Sequence, residues 1–534
     1  MRNPYVSMSS RVKDHRETPL VRTPAPGDSS TWWWRLRHRW GHAPGERTLT
    51  ESELRLWQRL EAPGCPVCHE SAGSDAQYFF WFFNENYGEL VTLDRLTRSL
   101  GFCRAHADAL IQSPLGSSQL AHVYEYMTRI LLGRLSTAIH ETTGRSRDPV
   151  PAAPAMCPAC EAKTMTAERN TFWLSSVLKH APTASRYGQP GLLCYPHLRS
   201  MSVNLPDREL ETVLSTHEAS MQRELAGLGH TDRASGAIEQ LLPALRLAVG
   251  HEHRANAYPL LTGTRVADAT AARTGDVVGS FLASLGTPIC CVCLEIRRVW
   301  LEWGGWINAH AHEAGRLDDL LPTCPEHVWA MARGAGPALA HAVARRALQA
   351  AFDEITTAVH PRTKRPDIAD WLAGPRFGRA KVMRVSREPL MRSIRCPVCE
   401  RLALARDRTI GLLFALFEDP AYRLAIEAGY GLCVHHFVRA LVLAPDPRVR
   451  ARLVELQRTK LSLLVWELQE AIRKNAWQYR PEAKASETTA WRRALLRYSG
   501  AFRLPDDLPS PGLEGAPGTD DVTSRHAGGL PGQT

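Results

Sequence analysis

Apolar residues recur along this chain at intervals of three and four. Ile410, Leu413, Phe414 and Phe417 stand at i, i+3, i+4 and i+7, the stripe of an amphipathic helix. The same period runs through Leu120, Val123, Met127 and Ile130, and through Leu210, Leu214, His217 and Met221. It returns in Leu339, Val343, Phe352 and Ile355, and again in Val449, Leu453, Leu456, Leu464 and Leu468. Runs that alternate with period two are nearly absent, so the pattern predicts an all-α protein.

Breaks in the pattern divide the chain. Residues 1–47 read as a basic, Trp/Arg-rich flexible arm, followed by helical modules at 48–142 and 143–231. A segment at 232–285, with Leu241, Leu242, Leu245 and Val249 in helical register, reads as a helical spacer. A third module follows at 286–360, a basic linker at 361–393 and a fourth module at 394–502. The Gly/Pro-rich tail, 503–534, is expected to be disordered. A length of 534 residues is more than one core usually serves, in line with several modules.

Charge alters this picture at two places. Of the net +10, residues 1–50 carry nine Lys/Arg against four Asp/Glu, and residues 361–395 carry ten against three. The excess therefore sits in the arm and the linker rather than on a helical face, where it can attract nucleic acid or anionic lipid. Trp32, Trp33, Trp34 and Trp40, interleaved with arginines, fit the same contacts or fold back on the core. No run resembles a signal peptide or a transmembrane span, so a cytoplasmic, reducing compartment is the expectation. There, paired cysteines hold metal more often than they form disulfides.

The thirteen cysteines are arranged for that chemistry. Four times a Cys-x-x-Cys is followed, 30 to 34 residues later, by a Cys-x-x-His. The sets are Cys65, Cys68, Cys103 and His106; Cys157, Cys160, Cys194 and His197; Cys290, Cys293, Cys324 and His327; and Cys396, Cys399, Cys433 and His436. Three thiolates and an imidazole suit a closed tetrahedral zinc site, and two residues between ligands let one turn chelate. Each module is therefore expected to be stapled by its own Cys3His site, up to four Zn2+ in all, with an iron–sulfur cluster as the alternative. Proline follows Cys65, Cys157, Cys324 and Cys396, the residue tolerated at the first helical position, so the chelating pairs are expected at helix N-termini. There the helix dipole favours the net −1 of such a site.

Equivalence among the four sets settles the ambiguous residues. Cys290 preserves the spacing to Cys293 and Cys291 does not; His436 preserves it and His435 does not. Cys65-Pro-Val-Cys-His69 matches a haem-attachment signature, but Glu161, Leu294 and Glu400 occupy the place of His69 elsewhere. His69 therefore reads as a surface residue. His310 with His312, and His251 with His253, are spaced for different faces of a helix rather than for one ion. Module three lacks both the first proline and the glycine before its Cys-x-x-His, which makes its site the weakest expected.

The stretch from Cys396 to Leu441, with its CPVC and GLCVHH, resembles an uncharacterised bacterial family of metal-binding helical proteins with a CPxC…GLCxxH layout, and Cys65 through Leu110 is similar. The resemblance implies helical metal-binding modules and a bacterial source, and no activity. Four protein ligands leave no open position for a substrate, and no common catalytic motif stands out. The reading is a non-enzymatic zinc-binding scaffold or adaptor for protein or nucleic-acid partners. Its alternatives are a nucleic-acid-binding regulator and an iron–sulfur or thiol redox protein.

Overall fold

The computed structural model describes residues 49–113, 116–140, 154–179, 187–188, 190–230, 238–252, 258, 261, 277–361, 385–393 and 395–501. The arm at 1–47 and the tail at 503–534 lie outside them, as do residues 362–384 of the linker at 361–393. The described residues from Glu51 onward form one compact unit, described below.

Among the described residues there is no strand, and the fold is all-α as the periodicity predicts. The first region holds α1 (Glu51–Arg59), α2 (Pro66–Ser71), α3 (Ser74–Trp81), α4 (Leu90–Arg98), α5 (Arg104–Gln112) and α6 (Ser117–His140). Next come α7 (Pro158–Leu178), α8 (Tyr195–Ser202), α9 (Asp207–His230) and α10 (Ile238–Val249). After α11 (Val277–Leu285) the series resumes with α12 (Cys291–Ala309), α13 (Pro325–Gly334) and α14 (Pro337–Val359). The last region holds α15 (Pro397–Glu418), α16 (Pro420–Ala428), α17 (Val434–Leu443), α18 (Pro447–Asn475) and α19 (Ala490–Ser499).

The apolar stripes face inward. Ile410, Leu413, Phe414 and Phe417 are buried, as are Leu210, Leu214, His217 and Met221. One continuous core runs through all four units. Its contacts obey a pattern: α6 of unit one packs most extensively on α18 of unit four, and α9 of unit two on α14 of unit three. Exchanging units one and two for three and four turns each contact into the other. The polar ties are local: His341 on α14 meets the Leu228 carbonyl of α9 at 2.8 Å, and Gln469 on α18 donates to Glu125 on α6 at 3.0 Å.

The same exchange explains α10, which reads as a spacer in the sequence. Helix α10 packs on α8, α9, α13 and α14; helix α19 packs on α17, α18, α5 and α6, the corresponding set. Counting back from the glycine that ends each, Leu241, Ala244, Leu245, Ala248 and Val249 are buried in α10, and Trp491, Ala494, Leu495, Tyr498 and Ser499 in α19. Each half of the chain thus consists of two cysteine-bearing units and one closing helix. In the second half Tyr498 seats the closing helix, its ring 5.3 Å from that of Tyr124.

Both closing helices stop at a left-handed glycine, Gly250 at φ +78° and Gly500 at φ +69°. A side chain at Gly250 would place its Cβ 3.1 Å from the Cys194 sulfur; at Gly500 it would lie 3.0 Å from that of Cys293. Left-handed backbone costs a residue with a Cβ roughly 1–2 kcal/mol, before any crowding of sulfur. Gly250→Ala and Gly500→Ala should each destabilise the protein by at least about that amount in urea titrations. Gly133→Ala, in α6 with nothing near its added methyl, should not lower stability.

Candidate metal centres

All eight chelating pairs begin at helix starts. Cys65, Cys103, Cys157, Cys194, Cys290, Cys324, Cys396 and Cys433 are the N-cap residues of α2, α5, α7, α8, α12, α13, α15 and α17. Proline at the first helical position helps start α2, α7, α13 and α15. Each ligand set therefore receives two helix N-termini, whose free N–H groups and dipoles favour negative charge on clustered thiolates.

The sixteen side chains meet in four Cys3His groups, with all ligand atoms of a group within 4.8 Å of one another. The groups are not those expected from chain order. Site I joins Cys65 and Cys68 of unit one to Cys194 and His197 of unit two. Site II joins Cys103 and His106 of unit one to Cys157 and Cys160 of unit two. The second half repeats the exchange: site III is Cys290, Cys293, Cys433 and His436, and site IV is Cys324, His327, Cys396 and Cys399. The expectation that each module closes on its own four ligands is corrected accordingly. Module three has no separate site to be weak, because its two pairs serve sites III and IV.

Helix packing accounts for the exchange. Helix α7 of unit two lies along α1, α2 and α3 of unit one, and α12 of unit three along α15 of unit four. Burying these apolar faces against each other brings each helix start to the neighbour's chelating turn rather than to its own. Backbone bonds fix the approach at site I, where the Gly191 amide donates to the Leu60 carbonyl at 2.8 Å. Tyr187 and His217 hold the next turn: the Leu193 amide meets the Tyr187 hydroxyl at 3.4 Å, and its carbonyl meets His217 Nε2 at 2.9 Å. Burial holds the His217 imidazole down to about 4, so it stays neutral there.

The geometry suits a tetrahedral ion. Ligands at zinc-like distances of about 2.3 Å for sulfur and about 2.0 Å for nitrogen would lie about 3.8 Å (S···S) and about 3.5 Å (S···N) apart. Sulfur pairs at such separations include Cys68–Cys194 at 3.7 Å, Cys103–Cys160 at 3.6 Å, Cys293–Cys433 at 3.9 Å and Cys324–Cys399 at 3.8 Å. In every group the histidine turns Nδ1 to the sulfurs: 3.1–3.4 Å at His197, 3.3–3.5 Å at His106, 3.3–3.4 Å at His436 and 3.1–3.8 Å at His327. These separations are far beyond a disulfide bond.

The thiols and imidazoles are poised to exchange protons for a cation. Burial opposes charge on His106, but Asp75 and the sulfurs of Cys103 and Cys157 outweigh it and push the imidazole up to about 11. Against the same cost of burial, Cys65 and Cys68 raise His197 to about 10, and Cys293 and Cys290 raise His436 to about 10. Cys157 is held far below the ordinary thiol value by hydrogen bonds from Cys103 and Cys160. A dication entering such a site displaces protons, so acid works against its retention.

The four environments differ. Site III is buried throughout, whereas Cys399 of site IV is exposed. At site II the outward nitrogen of His106 lies 3.4 Å from Asp75, which also pairs with Lys163 at 3.0 Å. Asp75, Gly250, Gly500, Tyr187 and His217 are the supporting residues that sequence reasoning did not single out as such. The one available signal was the shared Ala-Leu spacing before Gly250 and Gly500. Cys291 is buried beside Cys290 and belongs to no group. His435 also stays outside; it lines a cavity of about 270 Å³ with Arg104 and Glu326. His69 is exposed, edge-on to His251, and His310 and His312 join no ligand group; His253 lies outside the described residues.

No family model, curated protein or solved structure matches this chain. Among the described residues, no helix is long and apolar enough to cross a membrane.

The exchanged pairing makes a sharp prediction for metal content. Cys65→Ser with Cys194→Ser removes two ligands of one site and should cost one equivalent of metal by elemental analysis. Cys65→Ser with Cys103→Ser strikes two sites and should cost two. Pairing within units would reverse the two results.

Proposed function

We propose that this protein is a non-enzymatic zinc-binding helical scaffold, an adaptor that presents helix faces to protein partners. The observation that carries the reading is that each Cys3His group draws its ligands from two units. A metal so placed is a structural brace: four protein ligands complete its coordination, leaving no position for a substrate or a reactive water. Zinc accounts for the ligand set better than iron–sulfur chemistry does, since three thiolates and one imidazole converge on a single centre.

An open groove of about 950 Å³ between α12 and α15 supports an adaptor role. Trp303, Trp306 and Leu404 line it with Glu302 and Arg401, and Trp306 and Leu404 are 48% and 58% exposed. Exposed aromatic and aliphatic side chains in a concave, polar-rimmed surface are typical of protein contacts. The nucleic-acid reading rests on the basic arm and linker. It predicts binding that weakens steeply with salt.

Protein purified without added metal should be colourless and carry close to four zinc ions per chain, one for each Cys3His group. A strong excess of chelator should abolish cooperative melting, since structural zinc contributes on the order of 10 kcal/mol per site in small finger domains. A brown preparation holding iron, or an unchanged melt after complete metal removal, would overturn the proposal.

A further inference from the structure

We infer that the four centres are unequal in kind: sites I, II and III are permanent braces, and site IV is a point of metal exchange through Cys399. The inference rests on the groups holding metal and adds which of them gives it up. Sites II and IV are the informative comparison, because they occupy equivalent places in the two halves. Each joins the Cys-x-x-His of its half's first unit to the Cys-x-x-Cys of the second.

Two differences separate them. The first is access: Cys160 of site II is buried, whereas Cys399, its counterpart in site IV, is exposed. The second is support for the histidine. His106 turns its outer nitrogen to Asp75, itself held by Lys163. The outer nitrogen of His327 is buried, and among the described residues no carboxylate pairs with it. The rings of Tyr258 and Trp300 flank it instead, with centroids 5.0 and 5.9 Å away. Asp75 and Trp300 are each the seventh residue after the second cysteine of their Cys-x-x-Cys, so an aromatic stands in the second half where the first carries a carboxylate. Outer carboxylates orient a ligand histidine and raise its basicity, and removing them typically weakens metal affinity by about 10–100-fold.

Sites I and III lack this combination. All three cysteines of site I are buried, and all four ligands of site III are buried, with Gly500 laid against its sulfurs.

The exchange needs only a competing donor, such as a low-molecular-weight thiol. With a metal held at site IV, an incoming thiol would pass its proton to the Cys399 sulfur and take that sulfur's place as a donor. One metal–sulfur bond forms as one breaks, and no electrons change hands. Repetition at the remaining ligands carries the ion away. Three braces hold the fold meanwhile, and the first half keeps both of its sites.

The test uses the full chain loaded with zinc, its content first fixed by elemental analysis. Protein that carries no metal at that stage defeats the scaffold reading itself; protein that carries metal puts the present inference to the test. Mixed with excess of a chromogenic zinc chelator, it should release about one equivalent in a burst and the rest at least about tenfold more slowly. A brief pulse of iodoacetamide, in which a thiolate sulfur displaces iodide, should label Cys399 ahead of the other cysteines by peptide mapping. Asp75→Asn should enlarge the burst from about one equivalent to about two, with helicity retained by circular dichroism. Release of all the zinc in one phase would overturn the inference. So would a pulse label falling first on Cys103, or on cysteines of sites I or III; this readout needs only the unaltered protein.

Discussion

Everything in this fold depends on one requirement: a Cys-x-x-Cys turn must find a Cys-x-x-His turn belonging to another unit. Cys68 meets Cys194 across 126 residues of sequence, and Cys293 meets Cys433 across 140. The entropic cost of closing loops rises only slowly with their length, so such distant ligands remain affordable for an ion that binds tightly. What the exchange achieves is that no unit is complete alone. The packing of α7 against α1–α3, and of α12 against α15, is the same packing that completes the ligand sets.

Repetition operates at two levels. Four cysteine-bearing units share a local plan, but the repeating object is the half: two units with exchanged ligands and a closing helix. Helices α10 and α19 make the case, because they carry no ligand and yet bury matching positions and end at matching glycines. Once the halves are superposed in this sense, their differences become informative. An aspartate supports the histidine of site II where a tryptophan flanks that of site IV, and a buried cysteine in one corresponds to an exposed cysteine in the other.

Much of this was legible beforehand. Helical period identified the buried stripes from Leu210 to Met221 and from Val449 to Leu468, because a helix that packs on a core must repeat its apolar positions every three or four residues. Spacing marked the sixteen clustered residues, and the prolines after Cys65, Cys157, Cys324 and Cys396 marked helix starts. The partnership of the pairs was not legible. Two equivalent Cys-x-x-His turns can complete the same Cys-x-x-Cys, and the choice is made by long-range burial that leaves no mark in local spacing. The supporting roles of Asp75 and His217 escaped notice for a related reason: a carboxylate or imidazole in a helix has no signature until folding sets it beside a ligand turn.

The exchanged ligands also nest, one closure inside another. Residues 103–160 of site II fall wholly within the span from Cys65 to His197 that closes site I, and site IV falls likewise within site III. A ribosome delivers these parts in order. The inner site has all its ligands once residue 160 has emerged, while the outer one waits until residue 197, and the second half repeats the schedule with residues 399 and 436. Vectorial synthesis thereby imposes an order on the completion of the ligand sets, from inside outward in each half. The chain spends that interval with Cys65 and Cys68 ready and their partners not yet made.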